Sequence, residues 1–160
     1  MLSSGERKTV FTVGYSNHSF DSFLDVIRAY GITAIADVRR FASSKLEWFK
    51  GERLAELLGK HGIKYVHFPA LGGFRRGGYE RYMLESDLWK KAYVLLISLC
   101  NEEVCAIMCK ERNPKYCHRR YISERLHMDG WVVCHIFSKN KCAEHRDVFP
   151  RPIIGVQRTL

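Results

Sequence analysis

Five short apolar runs rich in β-branched and aromatic residues recur along the chain: Thr9 to Val13, Ile32 to Val38, Ile63 to Phe68, Val104 to Cys109 and Trp131 to Phe137. Runs of this length, apolar at nearly every position, predict strands buried on both faces. Between them apolar residues fall at helical spacing: Phe20, Phe23, Leu24 and Ile27; Leu54, Leu57 and Leu58; Leu88, Ala92, Leu95, Leu96 and Leu99; Ile122 and Leu126. Three of these segments end in Tyr30-Gly31-Ile32, His61-Gly62-Ile63 and Asp129-Gly130-Trp131. Glycine takes the left-handed conformation that closes a helix, so each triplet reads as a helix stop followed by a strand start.

Strand and helix in alternation predict right-handed βαβ crossovers. The expected fold is a single doubly wound, Rossmann-like α/β domain over residues 9–137, with a mainly parallel sheet of about five strands. Residues 1–8 are then an N-terminal extension. Residues 138–160, with Pro150, Pro152 and scattered charge, read as a C-terminal tail, either an extended arm or a partly disordered end.

Ligands of an open parallel sheet bind beyond the carboxyl ends of its strands. With the common strand order 3-2-1-4-5, the crevice opens beside strands one and four. Strand one runs into Gly14, Tyr15, Ser16 and Asn17, and strand two into Asp37, Val38, Arg39 and Arg40. Strand three leads to "ALGGFRRGGY", Ala70 to Tyr79, whose Gly72, Gly73, Phe74, Arg75 and Arg76 suit neither helix nor strand. That stretch reads as a long loop with the freedom of a lid. Strand four ends at Cys109, followed by Lys110 and Glu111; Asn113-Pro114 breaks the loop, and Cys117-His118-Arg119-Arg120 opens a helix. The free N–H groups of a helix start favour an anion, and Arg119 would add bidentate contacts to it.

Asp37 and Glu111 are the candidate general acids or bases; the structural alternative pairs Asp37 with Arg39, Arg40 or Arg119 to fix the loops. Cys109 or Cys117 in the same positive field would be a reactive thiolate, and the alternative for Cys109 is a small buried hydrophobe. A metal reading groups Cys109, Cys117 and His118, soft ligands suited to zinc or iron. Paired C-x-x-C knuckles are lacking, so neither a metal nor another cofactor is expected. Cys109 and Arg119 also lie too far apart for the C-x5-R loop of cysteine phosphatases and related sulfurtransferases.

Charge sharpens the choice of partner. Lys and Arg outnumber Asp and Glu by 26 to 17, a formal charge of +9 that favours anions and nucleic acid above all. The alternative is a solvated basic surface of the thermostable kind. Cations alternate with rings in Arg39-Arg40-Phe41, Trp48-Phe49-Lys50 and Phe74-Arg75-Arg76, with Tyr79 and Tyr82 nearby. Such interleaving suits a phosphate backbone with stacked or extruded bases, although Trp48 and Phe49 are assigned to the core. No apolar signal-peptide core follows the charged start, so the six cysteines are expected reduced in a cytoplasmic protein, with no membrane partner.

The segments "TVGYSNHSFDSFLDVIRAYGI", "IADVRRF", "GIKYVHFPALGG" and "CKERNPKYCHRRYIS", in this order, resemble the domain of unknown function 488 family over about Thr9 to Ile136. The resemblance implies a small α/β fold with characteristic positions at Gly14, Ser16, Asn17, Asp37, Arg39, Leu71, Gly72, Gly73, Cys109, Glu111, Cys117, His118 and Arg119. Two departures stand out. Ala42 replaces a proline common among members, and the segment between the second strand and second helix is short.

The leading expectation is an enzyme, or enzyme-like binder, on nucleic acid, performing base processing or repair as a glycosylase or nuclease does. Arg39, Arg40, Arg75, Arg76 and Arg119 would hold phosphates, Tyr15, Phe74 or Tyr79 would stack on a base, and Asp37 or Glu111 would handle water or protons. Two alternatives stand beside it: cysteine-dependent transfer of sulfur or phosphoryl on a small anionic substrate, and a non-catalytic nucleotide or RNA binding module.

Overall fold

The computed structural model of the chain describes residues 8–154. Its elements follow in the order β1 (Thr9–Gly14), α1 (Phe20–Ala29), β2 (Ala34–Asp37), α2 (Gly51–Gly59), β3 (Lys64–His67), α3 (Tyr79–Glu85), α4 (Asp87–Glu102), β4 (Cys105–Cys109), α5 (Arg119–Met128), β5 (Val132–Ser138), β6 (Lys141–Glu144) and α6 (His145–Val148). Each of the five apolar runs contains a strand. Gly31, Gly62 and Gly130 sit at φ of 67°, 73° and 98° after α1, α2 and α5, the conformation that an L side chain resists. Ser19 and Ser86 cap α1 and α4 by accepting from the N–H groups of Ser22 and Trp89.

One mixed sheet runs through the molecule in the order β3-β2-β4-β1-β5-β6. Five strands are parallel and β6 pairs antiparallel with β5. The expected five strands are therefore six. The sixth escaped the hydrophobic pattern because an edge strand held by backbone bonds needs no apolar run, and Lys141–Glu144 is mostly exposed. Lys139-Asn140 makes the two-residue turn that joins it to β5. The order also departs from 3-2-1-4-5, since β4 stands between β2 and β1.

Alternate residues of the strands face opposite layers. Val13, Ile35, Ala106 and Met108 pack under Phe23, Ile27, Leu54 and Leu58 of α1 and α2. Val10, Ala36, Ile107 and Val133 pack under Trp89, Leu96, Ile122 and Leu126 of α4 and α5. The chain thus leaves the neighbouring strands β1 and β4 toward opposite faces of the sheet. At such a reversal the connections diverge and a crevice opens above the carboxyl ends.

The tail is neither arm nor disordered end as far as residue 154. Ile154 is buried in the α4–α5 layer, and His145 is held by a buried relay. Thr12 Oγ1 lies 2.6 Å from His135 Nδ1, His135 Nε2 lies 2.9 Å from His145 Nδ1, and His145 Nε2 lies 2.9 Å from Glu124 Oε1. Arg146 completes it with 2.8 Å bonds to both Glu124 carboxylate oxygens. These contacts join β1, α5, β5 and α6. Residues 1–7 of the expected extension and 155–160 of the tail lie outside the described residues. Among the described residues no helix is long and apolar enough to cross a membrane.

Candidate functional site

The loops above the sheet are locked to one another by close backbone approach. A Cβ on Gly14 would fall inside the Glu111 carbonyl, and one on Gly72 would fall on the Arg40 backbone. These glycines allow the loops to meet rather than touch a ligand. Tyr15 and Ser16 donate their N–H groups to the Cys109 and Lys110 carbonyls at 3.1 and 2.9 Å, which extends the β1–β4 ladder past the sheet.

Arg119 closes this arrangement from below. It is wholly buried, donates to the Glu111 carbonyl, and places Nη2 2.9 Å from the Arg112 carbonyl oxygen. Its guanidinium is thus committed to the loop after β4 and does not line the crevice. The anion contacts that the sequence suggested for it are not made from this position. The reason is that Arg119 occupies the first turn of α5 on the face turned into the protein.

Asp37 is equally committed. Its carboxylate, with no exposed surface, takes Arg39 Nε at 2.9 Å, Arg39 Nη2 at 2.6 Å, the Arg39 N–H at 3.1 Å and the Tyr65 hydroxyl. The Arg39 guanidinium continues to the Phe49 and Ser43 carbonyls at 2.8 and 3.1 Å. Burial works against the Arg39 charge, but the hydrogen bonds and field of Asp37 outweigh it and raise its pKa. Burial and the Asp37 charge raise the Tyr65 hydroxyl as well, so Tyr65 remains a donor. Of the two readings of Asp37, the geometry realises the ion pair that fixes a loop.

The remaining groups converge on a cavity of about 560 Å³ above β2, β4 and β1, a size in the ordinary range for a small-ligand site. Cys109, Cys117 and His118 lie together there, with one ligating atom from each within 4.8 Å of the others. Both thiols are buried, at 7% and 5% exposure. The Cys117 thiol is pushed well below its ordinary range by the hydrogen bond from Cys109, with His118 and Arg119 adding to the effect against the opposing burial. Cys109 is correspondingly raised, first by its bond to Cys117 and then by burial. The bond between the two thiols thus favours a thiolate on Cys117 over one on Cys109. His118 Nε2 lies 2.8 Å from the Val38 carbonyl oxygen, so it carries the proton and leaves the Nδ1 lone pair 4.0 Å from Cys117 Sγ. The trio offers a nucleophilic sulfur or a set of soft ligands.

Above this floor stands a basic and aromatic rim. Arg40, Arg75, Lys110 and Glu111 line the cavity with Tyr15, Phe41, Phe74, Tyr79 and Tyr116. Phe41, Phe74 and Tyr116 are 64%, 87% and 76% exposed. Arg40 lies 5.3 Å over the Phe41 ring and donates through Nη1 to the Phe74 carbonyl at 2.7 Å. Arg75 is tied to the Gly72 and Pro69 carbonyls at 3.0 and 2.7 Å. The Tyr79 hydroxyl donates to Leu71 and accepts from Trp89 Nε1, and burial first of all raises its pKa. Leu71, Gly72 and Gly73 are buried, so the expected lid is an anchored loop with an exposed tip.

Of the residues singled out in the sequence, the cavity gathers Tyr15, Arg39, Arg40, Gly73, Phe74, Arg75, Tyr79, Cys109, Glu111, Cys117 and His118. Ser16 and Asn17 line a neighbouring hollow with Lys110, and Arg76 lines another beside Phe74. Gly14, Asp37, Gly72 and Arg119 support the loops from outside it. Sequence reasoning named Lys110 only as the residue after Cys109, and missed Ser43 and Tyr116 on the rim and Tyr65 beneath Asp37. Lys110 and Tyr116 sit inside the cysteine-bearing segment, which was a usable signal; nothing local marks Ser43 or Tyr65. Of the two rings assigned to the core, Phe49 is buried and Trp48 is 37% exposed.

Fold and site together define an α/β protein whose crevice has a thiol and imidazole floor and a cationic, aromatic rim. A model of the family described as "Domain of unknown function DUF488" matches residues 19–78 and 74–126. The chain belongs to that family. No curated protein and no solved structure matches it.

Proposed function

We propose that the protein acts on nucleic acid, holding phosphates on the rim cations and admitting one base into the cavity above Cys109, Cys117 and His118. Base processing of the glycosylase or nuclease kind is the reaction class this reading favours. The observation that carries it is Phe74. Its backbone adopts φ of 60°, a conformation that costs a bulky L residue on the order of 1–3 kcal/mol, and its ring is 87% exposed at the cavity mouth. An apolar ring held in water at that cost serves something outside the fold, and base stacking is the use that every nucleotide offers. Phe41 and Tyr116 line the same cavity, together with Arg40, Arg75 and Lys110.

The test is a pair of variants. Stacking on an aromatic side chain contributes roughly 1–3 kcal/mol per base, so F74A should weaken single-stranded DNA or RNA binding about 5- to 150-fold. F74G should weaken it as much while leaving stability unchanged or raised, because glycine relieves the positive φ. The reading fails if single strands do not bind at low ionic strength, or if F74G stays folded and binds as tightly as the unsubstituted chain.

A further inference from the structure

We propose that Cys109, Cys117 and His118 form a binding site for a thiophilic divalent metal ion, zinc above others, whose open coordination position faces the cavity. It departs from the expectation of no metal drawn from the missing knuckle motif. It deepens the nucleic-acid reading by naming a cofactor for the same crevice, but the binding of the ion does not depend on that reading.

Four observations carry it. First, the three ligating atoms already lie within 4.8 Å of one another, and Cys117 Sγ is 4.0 Å from His118 Nδ1. Thiolate and imidazole ligands at about 2.3 and 2.1 Å from a tetrahedral ion stand roughly 3.5–3.8 Å apart, so closing on a metal asks for small side-chain movements only. Second, the imidazole is oriented as a ligand. Its Nε2–H is committed to the Val38 carbonyl at 2.8 Å, the outer bond that ordinarily fixes the tautomer of a metal-binding histidine. Third, space is kept for Nδ1: a Cβ on Gly73 would stand 3.1 Å from it. Fourth, a donor faces the sulfur, because the Arg119 N–H lies 3.5 Å from Cys117 Sγ and would stabilise a metal-bound thiolate there. A divalent ion would displace the thiol protons and neutralise both sulfurs.

Three protein ligands with a fourth position open is the pattern of catalytic zinc sites, whereas structural sites close with four. All three donors line the cavity, so the fourth position points to where a ligand enters. The knuckle signature was absent because these donors come from the end of β4 and the start of α5, brought together by the fold.

The full chain, purified without chelators, should carry one zinc per chain by elemental analysis. After chelator treatment, cobalt(II) should restore a sulfur-to-cobalt charge-transfer band in the near ultraviolet, and X-ray absorption of that sample should report two sulfurs and one imidazole nitrogen. Because this reading uses the unsubstituted protein, it stands even where a buried cysteine variant fails to fold. G73A should retain the wild-type circular dichroism and bind cobalt roughly 10- to 100-fold more weakly, by crowding Nδ1. A chain that binds no zinc or cobalt, or whose two thiols form a disulfide in preference to binding the ion, overturns the proposal. So does a metal without sulfur ligands. Salt-dependent nucleic-acid binding by the metal-free chain tests the functional reading separately, so either can fail alone.

Discussion

Asp37 and Arg39 are two residues apart in sequence and bonded through four donor–acceptor contacts with Tyr65 included, all out of water. Removing one charge of a buried pair leaves the other without compensation, which costs about 3–5 kcal/mol. D37N should therefore lower stability by that amount in chemical denaturation. A catalytic base would behave differently, with activity lost and the denaturation midpoint unmoved. The pair was legible in the sequence as one of two readings, because the spacing alone put the groups within reach. Tyr65 was not, since it reaches Asp37 from the neighbouring strand, and cross-strand proximity depends on register that no local pattern encodes. Arg119 shows the same limit: beside Cys117 and His118 it read as a ligand contact, and only the turn of α5 decides that it faces inward.

At the scale of elements, the relay through Thr12, His135, His145 and Glu124 decides how the last helix, α6, is held against β1, β5 and α5. Burial first, then the charges of His145 and Arg119, lowers the His135 pKa to about 3. Burial likewise lowers His145, against the pull of Glu124 and with Arg146 and His127 reinforcing it. Both rings are therefore neutral at pH 7, and the partners fix their tautomers: Thr12 donates to His135, His135 to His145, and His145 to Glu124. The unfolded chain protonates these histidines near the ordinary value of about 6.5, before the folded chain does. Stability is thus complete above about pH 6.5 and is lost as pH falls from there toward 3. Glu124 is lowered as well, because its bonds from Arg146 and His145 outweigh burial, so its contribution is lost further into acid.

Urea midpoints measured from pH 8 to pH 4 should trace this decline, and H135Q, which keeps a donor and an acceptor but does not titrate, should flatten its upper part. An unchanged slope in H135Q would refute the assignment. The helix stops at Gly31, Gly62 and Gly130 were readable because their requirement is local. The strand β6 and the turn α6 were not: β6 is an edge strand held by backbone pairing to β5, and α6 is held by the relay, whose members come from four separate elements.

Across the whole molecule, the net charge of +9 becomes a usable field where cations collect on one side. Arg40, Arg75, Arg76 and Lys110 stand on the rim of the crevice and its neighbouring hollows. If these four meet four phosphates of a single strand, log affinity should fall against log salt with a slope of about −3. Titration by fluorescence anisotropy at several salt concentrations measures it, and R40Q with R76Q should make the slope shallower by about one unit or more. A slope near zero would deny the electrostatic footing of the proposed function. The general layout, helices on both faces of a mostly parallel sheet with a crevice at the carboxyl ends, followed from the alternation of apolar runs. The strand order did not, because β4 passes between β2 and β1, and crossover length leaves that insertion undetermined.

The buried clamps beneath the crevice also bear on how such a protein can diversify. Gly14, Asp37, Gly72 and Arg119 hold the loop backbones without touching the cavity, while Phe41, Phe74, Arg76 and Tyr116 project from those loops into solvent. Scaffold and recognition surface are thereby assigned to different residues on the same loops. Substitution along the rim can retune what the crevice accepts without reopening the question of whether the chain folds, so descendants of one ancestor could part company in substrate while sharing a single floor.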